Sequence, residues 1–158
     1  MPKFFVLPEK VKDGKIIIDT DDVLHIKRVL RMSEGDELLI CDSTGTDYET
    51  KISEIADKTI TCDIISEKKS DTESDISITL YQGIPKGSKM ELIIQKNTEL
   101  GVTKIVPVSM QRCVSKLENQ KAEEKKVQRW QKIAEEAAKQ SGRGIIPEIS
   151  MPQTLKQA

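Results

Sequence analysis

Short apolar runs separated by polar turn signals make up the first part of the chain, and the pattern changes to strands alternating with helices after Asp75. Phe4-Phe5-Val6, Lys15-Ile16-Ile17-Ile18, Glu37 to Cys41, Asp47 to Ile52 and Thr59 to Ile65 read as strands. In the last of these, Ile60, Cys62 and Ile64 alternate against Thr59, Thr61 and Asp63. Lys12-Asp13-Gly14, Ser33-Glu34-Gly35-Asp36 and Ser43-Thr44-Gly45-Thr46 supply turns between them. Short strands at this spacing predict a small β-barrel. One helix interrupts it: Asp21 or Asp22 caps Val23 to Arg31, with Val23, Ile26 and Leu30 on one side. Ser66 to Asp75, almost wholly polar, marks a domain boundary.

Beyond the boundary, Ile76, Ile78 and Leu80 alternate in a strand that ends at Gly83-Ile84-Pro85-Lys86-Gly87. Ser88 then caps a helix carrying Met90, Ile93, Ile94 and Leu100, stopped at Gly101. Lys104 to Val108 is a strand, Asn119 to Ser141 a long helix ended by Gly142, and Ile145 to Ile149 another strand. The order β-α-β-α-β predicts a parallel sheet with right-handed crossovers. Three strands and two helices make an unfinished sheet. The fold class is therefore α/β with an N-terminal small β-barrel, residues 1–70 forming the barrel and 75–158 a partial α/β domain.

Composition narrows the function classes. The 158 residues are 37% apolar, 32% charged and only 3% aromatic, so the core is built from Ile, Leu and Val. A net charge of −1 argues neither for nor against nucleic acid; a protein that merely coats phosphate is usually basic throughout, so any RNA binding here is expected from local patches. Cys41, Cys62 and Cys113 are far apart and form no CxxC pair, which argues against a zinc site or a disulfide framework and for a cytoplasmic protein with reduced core thiols. No stretch approaches the ~18 apolar residues of a membrane span, and the start lacks a signal-peptide layout.

Four groups of residues carry candidate chemistry. His25, Lys27, Arg28 and Arg31 gather basic groups on the early helix, where Arg forks match phosphate oxygens and a His can meet a base; a solvated helix face is the alternative. Gln82 to Lys89, with Lys86 and Lys89, forms a glycine-containing turn at a helix start, suited to an anion or simply an ordinary βα loop. Arg112 lies beyond the Val108 strand end, where α/β sheets bind ligands, with Glu99 placed to orient it or a neighbour; an Arg–Glu surface pair explains it equally. Gln140-Ser141-Gly142-Arg143 is a helix stop whose Arg143 serves the helix C-terminus or the sheet edge. No Ser-His-Asp set is visible, since the single histidine lies in the barrel and not in the α/β domain, and no GxGxxG fingerprint occurs.

Taken in order, these segments resemble one family. His25-Ile26-Lys27-Arg28-Val29-Leu30-Arg31 with Gly35-Asp36-Glu37, Gln82-Gly83-Ile84-Pro85-Lys86-Gly87, Gln95 to Val102, Arg112-Cys113-Val114, Arg129-Trp130, Glu136 to Arg143 and Pro147-Glu148-Ile149 are similar to the RsmE family of ribosomal RNA methyltransferases, which methylate N3 of a uridine in small-subunit (16S) rRNA. The resemblance covers essentially the whole chain. It implies a PUA-like RNA-binding barrel, the first part of a knotted (SPOUT) α/β domain, a homodimer, 16S ribosomal RNA as partner and S-adenosylmethionine as cofactor. The family's glycine-rich Gly-Pro-Glu-Gly-Gly cofactor loop has no counterpart before Ala158, so the cofactor site is expected beyond the end of this chain, which alone is expected to be inactive. Asn97 stands where the family has a small residue, and Leu24 precedes a single His where a pair is common.

Methylation at uridine N3 requires loss of a weakly acidic proton. Within the resemblance, Arg112 or Arg143 is the cation that stabilises charge spreading over the base carbonyls, Gln140 holds the base edge, and Glu99 is the candidate base. His25, Lys27, Arg28, Arg31, Lys86 and Lys89 are the expected RNA contacts. The alternative from another class is a non-catalytic RNA-binding and dimerisation module.

Overall fold

The two-residue repeat of a strand sets burial in the barrel: Ile16 and Ile18 are inside, while Lys15 and Ile17 face out. The structure is a computed structural model that describes residues 1–111 and 119–158. The chain divides into two units, Met1–Thr72 and Glu73–Ala158.

In the first unit, β1 (Lys3–Phe5), β2 (Val11–Lys12), β3 (Lys15–Ile18), β4 (Glu37–Cys41), β5 (Thr46–Ile55) and β6 (Ile60–Lys69) form one sheet in the order β1-β4-β5-β6-β3-β2. All neighbours are antiparallel except β1, which runs parallel to β4. Phe4, Val6, Ile16, Ile18, Leu38, Ile40, Tyr48, Ile52, Ile60 and Cys62 share one apolar core with Val23 and Ile26. A single core fed by strands from both edges of the sheet requires the sheet to curl, which is the predicted barrel. Lys3 closes on Asp47 at 3.0 Å, tying β1 to β5 from inside the packed surface. At the β4–β5 turn, Asp42 accepts from the Thr44 and Thr46 amides and from the Thr44 hydroxyl. Burial alone would raise the Asp42 pKa; those hydrogen bonds outweigh it and hold the carboxyl below its ordinary value.

Two expectations change here. The polar stretch from Ser66 is not a linker throughout, because β6 continues to Lys69, paired with β5 from Tyr48↔Glu67 to Thr46↔Lys69. Its side chains are exposed, so a hydrophobic pattern gives no sign of the ladder. The helix after Asp21 is α-helical only over α1 (Asp22–Leu24) and then widens into a π-helical turn, His25–Val29. That widening leaves Leu30 partly exposed instead of in the core.

The second unit contains β7 (Thr79–Gly83), α2 (Lys89–Glu99), β8 (Lys104–Ser109), α3 (Gln120–Ser141), β9 (Glu148–Ile149) and β10 (Gln153–Thr154). Every strand pairing is parallel: β7 lies on one edge of β8, and β9 and β10 follow one another along the other. The β7 strand begins later than the pattern predicts, and Ile76 and Ile78 are exposed before it. Met90 and Ile94 of α2, Trp130 and Ala134 of α3, and Val102, Ile105 and Ile149 make the core under the sheet. Asn119 caps α3 through the Ala122 amide at 3.0 Å, whereas the Ser88 and Asp21 side chains make no cap bond. Gly142 ends α3 in the left-handed region at φ 73, and the Arg143 amide closes on the Ala138 carbonyl.

Candidate functional site

The early basic helix is held by three kinds of contact. Val23 and Ile26 are anchored in the barrel core. The Lys27 ammonium donates to the Ala56 carbonyl at 3.0 Å and the Asp57 carbonyl at 3.4 Å, lashing the turn to the β5–β6 hairpin. The His25 ring meets Phe4 edge-on, with centroids 6.3 Å apart. Lys27 is thus partly committed to the fold, while Arg28 and Arg31 are exposed and form no ion pair among the described residues.

Arg31 carries a further signal. It occupies the left-handed region at φ 54, where the Met32 amide turns back to the Ile26 carbonyl at 3.1 Å. Glycine is the usual residue at such a helix end, and a side chain there raises the energy by about 1–2 kcal/mol. Arg31 bears that cost, and its guanidinium makes no ion pair among the described residues.

In the second unit, a polar groove runs between α2 and α3. Ser88, Glu91, Leu92, Gln95, Ile133, Glu136, Ala137 and Gln140 line a volume of about 400 Å³. Gln140 is exposed on this groove, one turn from Glu136, and Lys86 and Lys89 are exposed in and just after the βα loop. A smaller apolar pocket of about 210 Å³ sits at the carboxyl ends of the strands, lined by Tyr81, Gly83, Val108, Met110, Leu155 and Ala158. A Cβ at Gly83 would come within 3.3 Å of Met110 Cγ, so the methionine would have to shift by a few tenths of an ångström to admit it.

The remaining candidates separate. Arg112 and Cys113 lie outside the described residues. Glu99 is exposed at the end of α2 and pairs with Lys96 at 2.9 Å. Arg143 is buried, with 4% of its side chain exposed. Its Nη1 donates to the Val102 carbonyl at 2.6 Å and the Thr98 carbonyl at 3.2 Å, and Nε and Nη2 grip the Glu73 carboxylate at 3.2 and 2.6 Å. The Gly144 and Ile145 amides complete the clasp on Glu73. Burial alone would push the Glu73 pKa up; the Arg143 hydrogen bond and the two amides prevail and hold it below the ordinary carboxylate value. Arg143 therefore ties the end of α2, the end of α3 and the residue that opens the second unit. Sequence reasoning missed Glu73, which is one more acid in a polar stretch.

Cys41 and Cys62 are both fully buried, and burial pushes each thiol up to about 11. Among the described residues no cluster of His, Cys, Asp and Glu is arranged to hold a metal, and no helix is long and apolar enough to cross a membrane.

Comparison with known proteins agrees with this division. Residues 18–65 match the RNA methyltransferase PUA domain and residues 72–158 the RNA methyltransferase domain. The chain is 36% identical over 140 residues to ribosomal RNA small subunit methyltransferase E of Bacillus subtilis, covering 89% of this chain and 54% of that protein. To the protein of the same name from Synechocystis it is 30% identical over 155 residues, covering 98% and 49%. The chain thus spans about half the length of these relatives. Among solved structures, the Neisseria gonorrhoeae ribosomal RNA small subunit methyltransferase E bound to S-adenosyl methionine superposes with a TM-score of 0.85 at 30% identity, covering 99% of this chain and 63% of that one. A Legionella pneumophila protein solved with the same cofactor gives 0.85 at 31%, covering 98% and 64%. Curled PUA barrel, parallel α/β unit and these matches together establish that the chain belongs to the RNA methyltransferase family, among the relatives of ribosomal RNA small subunit methyltransferase E.

Proposed function

We propose that the protein carrying this chain methylates N3 of a uridine in small-subunit (16S) ribosomal RNA, in the cytoplasm and as a homodimer, with residues 1–70 binding RNA and 75–158 contributing to the methyltransferase domain. The observation that carries the reading is the joint match to the PUA and RNA methyltransferase domains, on a chain whose barrel presents two exposed arginines without an ion pair among the described residues. Arg28 and Arg31 contact phosphate, and His25, exposed beside them, meets a base. Lys86 and Lys89 extend the cationic surface of the second unit.

In the groove between α2 and α3, Gln140 holds the base edge through its amide. Arg112 supplies the cation that stabilises negative charge on the base carbonyls once the N3 proton is lost. Arg143, being bound to Glu73, is a positioning residue: it fixes the helix end from which Gln140 projects. Glu99, paired with Lys96 at a helix end, takes the part of proton acceptor only if that pair opens. S-adenosylmethionine, when bound, supplies the methyl group. The apolar strand-end pocket of about 210 Å³ is smaller than the roughly 300–1,000 Å³ of sites for ligands of that size. It gives the cofactor one wall, and the part of the family's length that this chain does not span completes the site.

The test is methyl transfer from labelled S-adenosylmethionine to small-subunit rRNA by the full-length protein, followed by nucleoside mass spectrometry. The reading expects N3-methyluridine. Label on another base, or none with rRNA and cofactor both bound, overturns it.

A further inference from the structure

The π-helical turn exposes more apolar surface than the fold requires. Val29 is 66% exposed, Leu24 52% and Leu30 38%, although Val23 and Ile26 of the same segment are buried. The cause is the hydrogen-bond pattern: the Leu30 amide reaches the His25 carbonyl, five residues back, at 3.0 Å. Widening of this kind lines up residues four and five apart, so Leu24 stands with Arg28 and Val29, and His25 with Leu30. An ordinary α-helix over these residues would have turned Leu30 toward the core with Ile26. The segment accepts a rarer helix type, and an arginine at a glycine position, and the outcome is apolar side chains set between exposed arginines.

That arrangement matches how proteins open stacked nucleic acid. Arginines hold the backbone on either side while an aliphatic side chain enters a base step and fills the space left by unstacking. The turn is also stiff: Lys27 is bonded to the β5–β6 hairpin and His25 packs on Phe4. A wedge has to be held this way, since a mobile one would yield before the bases did. The acidic residues of the segment, Asp21 and Asp22, lie at its opposite end and bound the surface that RNA can approach.

Resting on the reading of this unit as RNA-binding, we propose that Val29, flanked by Leu24 and Leu30, is an apolar wedge that inserts beside an unpaired base of the RNA while Arg28 and Arg31 hold the adjoining phosphates. The occupant is therefore a single-stranded or looped RNA, and the wedge contributes to presenting the target base rather than to overall charge attraction.

The experiment uses the 158-residue chain and an RNA hairpin with 2-aminopurine beside a loop uridine. Binding of the wild-type chain should raise 2-aminopurine fluorescence as the base unstacks. Val29→Ser should abolish that rise, lower affinity about tenfold, as expected from losing the burial of one valine side chain, and leave the salt dependence and melting temperature unchanged. Val29→Leu should keep the rise. If Val29→Ser binds with the fluorescence rise intact at saturation, the wedge is wrong even though RNA binding stands. If the wild-type chain binds no RNA at any salt concentration, the RNA reading itself fails and the apolar surface belongs to a protein partner.

Discussion

Replacing Glu73 with Ala should destabilise the second unit severely. Four donors converge on this carboxylate, from Arg143 Nε and Nη2 and the Gly144 and Ile145 amides, at 2.6 to 3.2 Å. Removing it leaves the Arg143 guanidinium buried with only the Thr98 and Val102 carbonyls for company. Breaking a buried pair from one side loses about 3–5 kcal/mol, a large share of the roughly 5–15 kcal/mol by which a whole domain is stable. At about 4–8 °C per kcal/mol for a unit of this size, the melting point should fall by at least about 12 °C. The assay is urea or thermal unfolding followed by tryptophan fluorescence, because Trp130 is the single tryptophan and sits in the core of this unit. A double replacement, Glu73→Ala with Arg143→Met, should recover most of the loss by removing the stranded charge. The pH dependence adds a sign. A carboxyl held below its ordinary pKa stabilises above the unfolded value of about 4.3 and loses that contribution as pH falls through the folded value. Wild type should show this acid-side slope and Glu73→Ala should lack its Glu73 part. A loss below about 1 kcal/mol, or no recovery in the double variant, would refute the clasp as the anchor of this unit.

Two further outcomes follow from the same structure. Cys41 and Cys62 should resist a thiol reagent at pH 8 in the folded protein and react fully in denaturant; since their folded pKa values are raised to about 11 by burial, the stability they support is present below the unfolded value of about 8.5 and is lost as pH rises toward 11. Fast reaction of both thiols in the native state would contradict their burial. Gly142→Ala should lower the melting point of the second unit by about 4–8 °C through left-handed strain of about 1 kcal/mol, because no atom lies within 4 Å of the added Cβ; a neutral substitution would contradict the left-handed cap.

Much of this architecture was legible from pattern. Buried Ile16 and Ile18, Leu38 and Ile40, and Ile60 and Cys62 are the alternating positions of the early strands. The parallel β-α-β order and the Gly142 stop also stand where the sequence puts them, while Asn119 proves to be the cap of α3 and not its first residue. Two of the features that escaped depend on partners distant in sequence. The Ser66–Lys69 ladder is exposed and has no apolar signal, and Glu73 gains its meaning only from Arg143, seventy residues later. The π-turn is invisible because Val23, Ile26 and Leu30 fit a normal α-helical stripe, and only the hydrogen bond from Leu30 to His25 shows otherwise. The candidate site was legible as a set of residue types more than as geometry. Arg28 and Arg31 are exposed as a binding role needs, while Lys27 and Arg143 turn out to hold the fold in addition to, or instead of, facing a ligand.

The measurement that bears most directly on RNA recognition by this chain is the salt dependence of its affinity for small-subunit rRNA, wild type against an Arg28→Ala, Arg31→Gly double variant. Glycine relieves the left-handed strain at position 31, so weakened binding cannot be ascribed to a damaged turn. Recognition through this turn predicts lower affinity and a slope of log K against log salt shallower by about two, one for each phosphate no longer neutralised by an arginine. Equal affinity and an equal slope in the double variant would contradict it, and would remove this turn from the RNA interface.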